Sequence, residues 1–237
     1  MRFLIGFFLL FFTHFSFANQ SKLQKFEATI GATRLIYKEN SKGETIKIKN
    51  SQTYPMLIQS KIIEPNGKEN HDFIITPPLF KLDGGKETDV QIFLINNKFP
   101  NDRETLKRMC VRGIPPKADD LWNDIKNSDA FKINVSINTC IKFIVRPTNL
   151  PRPSSETVEK INWEINKSSL IARNTTPYYI TLSKIHLNGR NIFSGEIIPP
   201  FSDISFHVNN MKSNDNIIEW STIGDFGEDS ITHRRII

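Results

Sequence analysis

The two cysteines, Cys110 and Cys140, are the side chains of this 237-residue chain with the most distinctive possible chemistry. No other Cys or His lies within two to four residues of either, so the spacing of a zinc site is missing. The Cys-x-x-Cys spacing of a redox pair is missing as well. An even number of cysteines in an exported protein favours a structural disulfide. We therefore predict a disulfide between Cys110 and Cys140.

Catalytic constellations are the next possibility. The five histidines show no metal-ligand spacing, and the sequence has no Gly-x-Ser-x-Gly, P-loop or Gly-x-Gly-x-x-Gly motif. We therefore expect no enzyme activity, no metal and no cofactor.

The N-terminal segment indicates export. Met1-Arg2 is a positive start, residues 3–12 are an unbroken apolar run of ten, and Ser16-Phe17-Ala18 puts small residues where a signal peptidase cleaves. The run is too short to span a membrane, and no later stretch approaches the ~18 apolar residues that would. We predict that residues 1–18 are a signal peptide rather than a buried N-terminal helix, and we expect no membrane insertion.

Charge argues against a nucleic-acid partner. Without residues 1–18, which hold one Arg and no acid, the chain has 30 basic and 25 acidic residues, and the basic ones are scattered. A mildly basic, exported chain without a basic patch is a poor candidate for binding nucleic acid.

The elements that position these residues are strands. Short runs rich in Ile, Val, Thr, Phe and Tyr alternate with turn-forming clusters of Asn, Gly, Pro and Asp almost throughout the chain. Three prolines in the seven residues 147–153 indicate a stiff connector. We predict two immunoglobulin-like β-sandwich domains, residues 19–147 and 154–237, joined by a linker at residues 148–153.

Residues 131–146 form an unusual stretch. Large apolar residues alternate with polar ones, first at Phe131, Ile133, Val135 and Ile137, and then at residues 141, 143 and 145. We predict one strand of sixteen residues, far longer than the usual five or six. It follows a long polar segment, residues 113–130, that lies between the two cysteines. Such a strand either packs inside its own sandwich or serves a partner.

Seven motifs in both halves of the chain occur together in one family. The chain resembles the PapD-like periplasmic chaperones of fimbrial assembly, and most closely the long-loop branch that serves thin or capsule-like surface fibres. The resemblance covers residues 26–237, and the cysteine pair around the long segment indicates that branch. The matching segments are Ala32-Thr33-Arg34-Leu35-Ile36-Tyr37, Thr76-Pro77-Pro78-Leu79-Phe80-Lys81-Leu82, Asp102-Arg103-Glu104-Thr105-Leu106, Arg112-Gly113-Ile114-Pro115-Pro116-Lys117, Cys140-Ile141-Lys142-Phe143-Ile144-Val145-Arg146-Pro147, Asn174-Thr175-Thr176-Pro177-Tyr178-Tyr179 and Gly224-Asp225-Phe226-Gly227.

The resemblance implies a mechanism. Such chaperones have two immunoglobulin-like domains at an angle with a cleft between them, and they lend a strand to a fibre subunit that lacks one. The donor residues map to Phe131, Ile133, Val135 and Ile137, whereas Lys132, Asn134 and Ser136 point away from the subunit, so that an acidic replacement at position 136 is expected to be nearly silent.

Further roles follow from the same resemblance. Arg34 and Lys142 are expected to hold the subunit's C-terminal carboxylate. Glu104, Arg146 and Asp225 are expected to form an ionic network that fixes the angle between the domains. The implied location is the periplasm, and the implied partners are a fibre subunit and an outer-membrane usher, with self-association when the chaperone is free.

One alternative from a different class remains open: a secreted immunoglobulin-like adhesin or carbohydrate-binding module. It requires exposed aromatic residues, for which Trp122 is the only candidate, because Trp163 and Trp220 have the surroundings of core residues. It does not require Arg34 or Lys142.

Overall fold

The computed structural model describes residues 22–116, 132–193, 195–209 and 216–237. The predicted signal peptide, Phe131 and Trp122 lie outside these ranges. Eleven strands belong to the first half: β1 (Lys22–Phe26), β2 (Thr29–Ile30), β3 (Arg34–Lys38), β4 (Glu44–Lys49), β5 (Met56–Ile63), β6 (Phe73–Thr76), β7 (Leu79–Leu82), β8 (Glu87–Leu94), β9 (Thr105–Ile114), β10 (Lys132–Ser136) and β11 (Asn138–Arg146). The second half contains helix α1 (Ser155–Glu159) and β12 (Ile161–Asn166), β13 (Ser169–Asn174), β14 (Ile180–Leu187), β15 (Arg190–Phe193), β16 (Ile197–Ile198), β17 (Asp203–His207), β18 (Ile217–Thr222) and β19 (His233–Ile236).

The first domain is a sandwich of two sheets, with strand orders β2-β4-β8-β6 and β3-β11-β9-β5-β7. Its strands form because alternate residues are apolar, and these residues face the opposite sheet. In β5, for example, Met56, Ile58 and Ile62 are buried whereas Lys61 is exposed. The first domain therefore has a single core between its sheets.

The second domain repeats this plan with fewer strands. Its sheets have the orders β12-β13-β17 and β15-β14-β18-β19, and β16 adds to β14. Trp163 and Trp220 lie in its core, as predicted, with ring centroids 5.6 Å apart. The prediction of an all-β chain with two immunoglobulin-like sandwich domains is confirmed.

The predicted disulfide is confirmed too. Cys110 of β9 and Cys140 of β11 are direct cross-strand partners, with Cα atoms 4.0 Å apart, and their sulfur atoms are bonded.

The prediction of one strand over residues 131–146 is wrong. The described part consists of β10 and β11, which are separated at Ile137. β11 pairs with β9 and β3, whereas β10 pairs in parallel with β1. The alternation of apolar residues continues across the break, but the hydrogen-bonding partners change there.

None of the helices among the described residues is long and apolar enough to cross a membrane.

Candidate partner-binding site

Arg34 and Lys142 lie next to each other in the cleft between the domains. They are direct partners in the parallel pairing of β3 with β11. Arg34 is 7% exposed and donates from Nη1 to the carbonyl oxygen of Ile223, 3.0 Å away in the second domain. The Lys142 ammonium donates to Thr181 Oγ1 at 3.4 Å, also across the cleft. Lys142 is directed away from the core because its neighbours Ile141 and Phe143 are buried in the sandwich.

The two cations are poorly compensated. Burial lowers the pKa of Arg34, and the more distant charges of Asp225, Glu228 and Glu104 oppose this only in part. Burial, and then the neighbouring charge of Arg34, lower the pKa of Lys142. Within the described residues, the buried Nε of Arg34 has no hydrogen-bond partner. An anion placed between these side chains would relieve the repulsion between them.

Four residues past Lys142 on β11, Arg146 joins the two domains. Its Nε donates to Glu104 Oε1 at 2.6 Å, and Nη1 and Nη2 each donate to a carboxylate oxygen of Asp225 at 2.7 Å. The backbone N–H of Tyr179 donates to the other oxygen of Glu104 at 2.7 Å. Burial works against the charge of Arg146, but the hydrogen bonds and charges of Asp225 and Glu104 outweigh it and raise the Arg146 pKa. The structure therefore brings all three predicted network residues together.

The loop that carries Asp225 makes further contacts with the linker and the first domain. Arg152 of the linker forms an ion pair with Glu228, and its Nε is 3.9 Å from Asp225 Oδ2. Gly227 has a φ of +85°, and a Cβ there would lie 2.5 Å from Thr33 Oγ1 of the first domain. A residue without a side chain is needed at this close approach.

A cavity of about 260 Å³ lies between the domains. Arg34, Ile144 and Arg146 contribute to its wall from the first domain. The second domain and the linker contribute apolar and polar side chains that include Val158, Ile180, Thr181, Ile223 and Ile231. The cleft is therefore only partly filled by the chain itself.

β10 ends six residues before Lys142 in the sequence and exposes part of its apolar row. Ile133 and Val135 are 42% and 37% exposed, and Ile137 is half-buried. Leu23 of β1 is the pairing partner of Ile133 and is also exposed. Within the described residues β10 pairs with β1 alone, so its other edge is open.

Ser136 differs from the expectation of a free polar side chain. Its Oγ donates to the carbonyl oxygen of Gly113 at 2.6 Å and accepts from Arg112 Nε at 3.0 Å. An acidic replacement would lose the first bond, so we no longer expect it to be silent. The alternation of side chains along a strand predicts the face on which Ser136 lies. It cannot predict that Gly113, near the end of β9, lies within hydrogen-bonding distance of Ser136.

Sequence reasoning also missed Thr181, Arg152 and the Tyr179 N–H as cleft groups. Tyr179 is the last residue of the Thr-Thr-Pro-Tyr-Tyr motif and Thr181 lies two positions after it, so the motif was a usable signal. Arg152 lies in the proline-rich linker, where a charged residue has no distinguishing pattern.

Comparison with known proteins agrees with this geometry. Residues 27–151 match the family of pili and flagellar-assembly chaperones, PapD N-terminal domain, and residues 156–233 match the pili assembly chaperone PapD C-terminal domain. Among curated proteins, the chaperone protein caf1M of Yersinia pestis is 36% identical over 215 residues, which is 86% of this chain and 83% of that protein. The chaperone protein AfaB of Escherichia coli is 36% identical over 191 residues, 78% of this chain and 77% of AfaB.

Two solved structures are similar over nearly the whole chain. The Escherichia coli chaperone DraB has a TM-score of 0.78 at 34% identity and covers 91% of this chain and 98% of its own. The Salmonella enterica SafB chaperone, solved in complex with the SafA pilin, has a TM-score of 0.78 at 30% identity and covers 90% and 97%. With both of its domains matched, this chain belongs to the PapD family of pilus-assembly chaperones.

Proposed function

We propose that this chain is a periplasmic chaperone that binds a fibre subunit, stabilises it and delivers it to an outer-membrane usher. Arg34 and Lys142 hold the C-terminal carboxylate of the subunit. β10 fills the open groove of the subunit with Ile133, Val135 and Ile137, with Phe131 at its end.

The single observation that carries the proposal is the pair of adjacent, partly buried cations in the cleft. A carboxylate there receives charge-assisted hydrogen bonds from both side chains. Because the carboxylate end of a chain is a small anion that can enter a narrow cleft, the site fits a chain terminus better than a side chain on a folded surface.

The exposure of β10 supports the lending of a strand. An unpaired edge with exposed Ile and Val normally favours aggregation, so a chain that retains one needs a use for it. Strand addition combines main-chain pairing along the edge with apolar contacts from alternate side chains. The same row favours self-association when no subunit is bound.

The buried network of Glu104, Arg146 and Asp225 supports a fixed geometry of the cleft. A buried ion pair is costly to break, so it resists separation of the domains. We assign residues 1–18 to a signal peptide, residues 19–147 and 154–237 to the two domains and residues 148–153 to their linker. We assign no enzyme activity to the chain, because these groups bind a partner and none of them has to react.

The test begins with a tagged chain expressed in the periplasm. We expect that a fibre subunit copurifies as a soluble one-to-one complex and that mass spectrometry identifies it. Arg34→Ala and Lys142→Ala are each expected to abolish this recovery while the variant remains folded by circular dichroism. Recovery of the subunit at the unmodified level with either variant would refute the assignment of the carboxylate site.

A further inference from the structure

The junction between β10 and β11 is held by a small set of contacts around Ile137. The Ile137 N–H donates to the carbonyl oxygen of Phe26, at the end of β1, at 3.0 Å. Its carbonyl oxygen accepts from the Gly113 N–H, at the end of β9, at 3.2 Å. Ile137 is therefore the residue at which the strand changes its partner from β1 to β9.

One residue earlier, Ser136 adds side-chain bonds to the same place. Its hydroxyl donates to the Gly113 carbonyl oxygen and accepts from Arg112 Nε. We call Arg112, Gly113, Ser136 and Ile137 the junction clasp. Arg112 is exposed and Ser136 is half-buried, whereas Gly113 is buried, so the side-chain bonds of the clasp lie at the surface of the first domain, above a buried glycine.

The clasp requires a close approach of three strands. A Cβ on Gly113 would lie 2.6 Å from the carbonyl carbon of Phe26 and 2.9 Å from Met56 Sδ. Phe26 itself is fully buried. Glycine at position 113 thus allows the ends of β1 and β9 to meet on either side of Ile137.

Beyond the clasp, β10 pairs within the described residues with β1 alone, and β1 is anchored by the buried Phe26 and by the Tyr54 hydroxyl, which donates to the Lys25 carbonyl oxygen at 2.6 Å. A two-stranded ribbon without further partners is marginally stable. The direction in which the ribbon leaves the sandwich therefore depends on how its base is held. A strand that is already oriented loses less entropy when it enters a partner's groove.

We propose that Ser136 and Arg112 are positioning residues that fix the direction and register of the donor strand β10 where it leaves the first domain. The inference rests on the proposed function, since it gives these residues a task in subunit capture. Neither side chain enters the subunit's groove; both act through the backbone of β9 and β10.

Hydrogen exchange on the free, full-length mature protein tests the clasp without any subunit. In Ser136→Ala and Arg112→Gln, we expect the amides of β10 to exchange about tenfold faster, because one or two hydrogen bonds at its base are lost. The amides of β11 should keep their protection. Ser136→Thr retains the hydroxyl and should restore slow exchange, whereas Asn134→Ala, an exposed neighbour on the same strand, should leave exchange unchanged.

Recovery of the subunit that copurifies with the unmodified chain is the second measurement. It should fall severalfold in Ser136→Ala and Arg112→Gln and return in Ser136→Thr. Unchanged β10 exchange in the first two variants, or equal acceleration throughout the first domain, would overturn the positioning role. Faster β10 exchange with full recovery of subunit would overturn it as well. If the unmodified chain recovers no subunit, the proposed function fails, and the exchange data alone decide whether the clasp orients β10.

Discussion

Replacement of Val135 by Asp separates a donor strand from an ordinary core strand. Complete burial of a valine side chain stabilises a fold by ~1.5–3 kcal/mol. Val135 is 37% exposed in the free chain, so Val135→Asp removes about two thirds of this contribution, ~1–2 kcal/mol, from the stability of the free chain. For a domain of this size we expect the melting temperature of free Val135→Asp to fall by about 3–8 °C, while the protein stays folded.

The loss should be much larger in the complex. If Val135 enters an apolar groove, the new carboxylate must leave water without a cation beside it, which costs several kcal/mol. The remaining third of the valine burial is lost too. A combined loss of at least ~3 kcal/mol weakens subunit binding by more than about 100-fold.

Asn134→Asp is the matched control, because it adds the same charge one residue away on the exposed, opposite face of β10. Both variants are purified, their melting temperatures are recorded, and their recovery of subunit from the periplasm is compared with the unmodified chain. Unfolding of free Val135→Asp would show that Val135 belongs to the chaperone's own core. Equal subunit recovery by both variants would refute the assigned faces of the strand.

Three further predictions follow from the cleft and the disulfide. Burial and the charge of Arg34 lower the pKa of Lys142, so that Lys142 loses its proton at a pH below the ordinary lysine pKa of about 10.4. Subunit affinity should therefore fall as the pH rises toward about 10.4. A fluorescence titration of subunit binding should show this fall for the unmodified chain and not for Lys142→Arg. Arg146→Met leaves Glu104 buried without its cation and should lower the free energy of unfolding by ~3–5 kcal/mol in urea titrations, whereas Arg152→Met, at a half-exposed ion pair, should cost less than about 1 kcal/mol. Reduction of the disulfide should lower the unfolding free energy by ~3–4 kcal/mol, and an unchanged urea midpoint in protein with titratable free thiols would contradict this.

Much of the fold could be predicted because its strands follow the simplest pattern available. In β4 and β8, Ile46, Ile48, Val90 and Ile92 alternate with polar residues, and these four apolar side chains are all buried. β1 could not be predicted in this way, since residues 22–26 contain only two apolar side chains and their pairing partner lies about 110 positions away. The break at Ile137 was missed for the same reason, because it depends on distant backbone partners.

In the candidate site, the sequence could indicate the charged side chains but not their backbone partners. Arg34, Lys142 and the network residues are charged side chains in recognisable motifs, so the sequence could indicate them. Their partners across the cleft include the Ile223 carbonyl and the Tyr179 N–H, which are backbone groups. Every residue has such groups, and only the packing of the two domains decides which of them are in reach.

The path from β10 to β11 has a consequence for the length of the subunit segment that the proposed mechanism places along it. Val135 in β10 and Lys142 in β11 are seven positions apart, on two strands that meet at Ile137, and at ~3.3 Å per residue this corresponds to about 23 Å along the chain. If Lys142 binds the end of a subunit and Val135 enters the groove of the same subunit, the distance between these two contacts is fixed. A subunit that ends one residue earlier would have to shift its register by one residue for its carboxylate to reach the cations, and that shift would turn each of its side chains to the opposite face. The affinity for a subunit should therefore depend on the length of this segment in whole residues as well as on its composition.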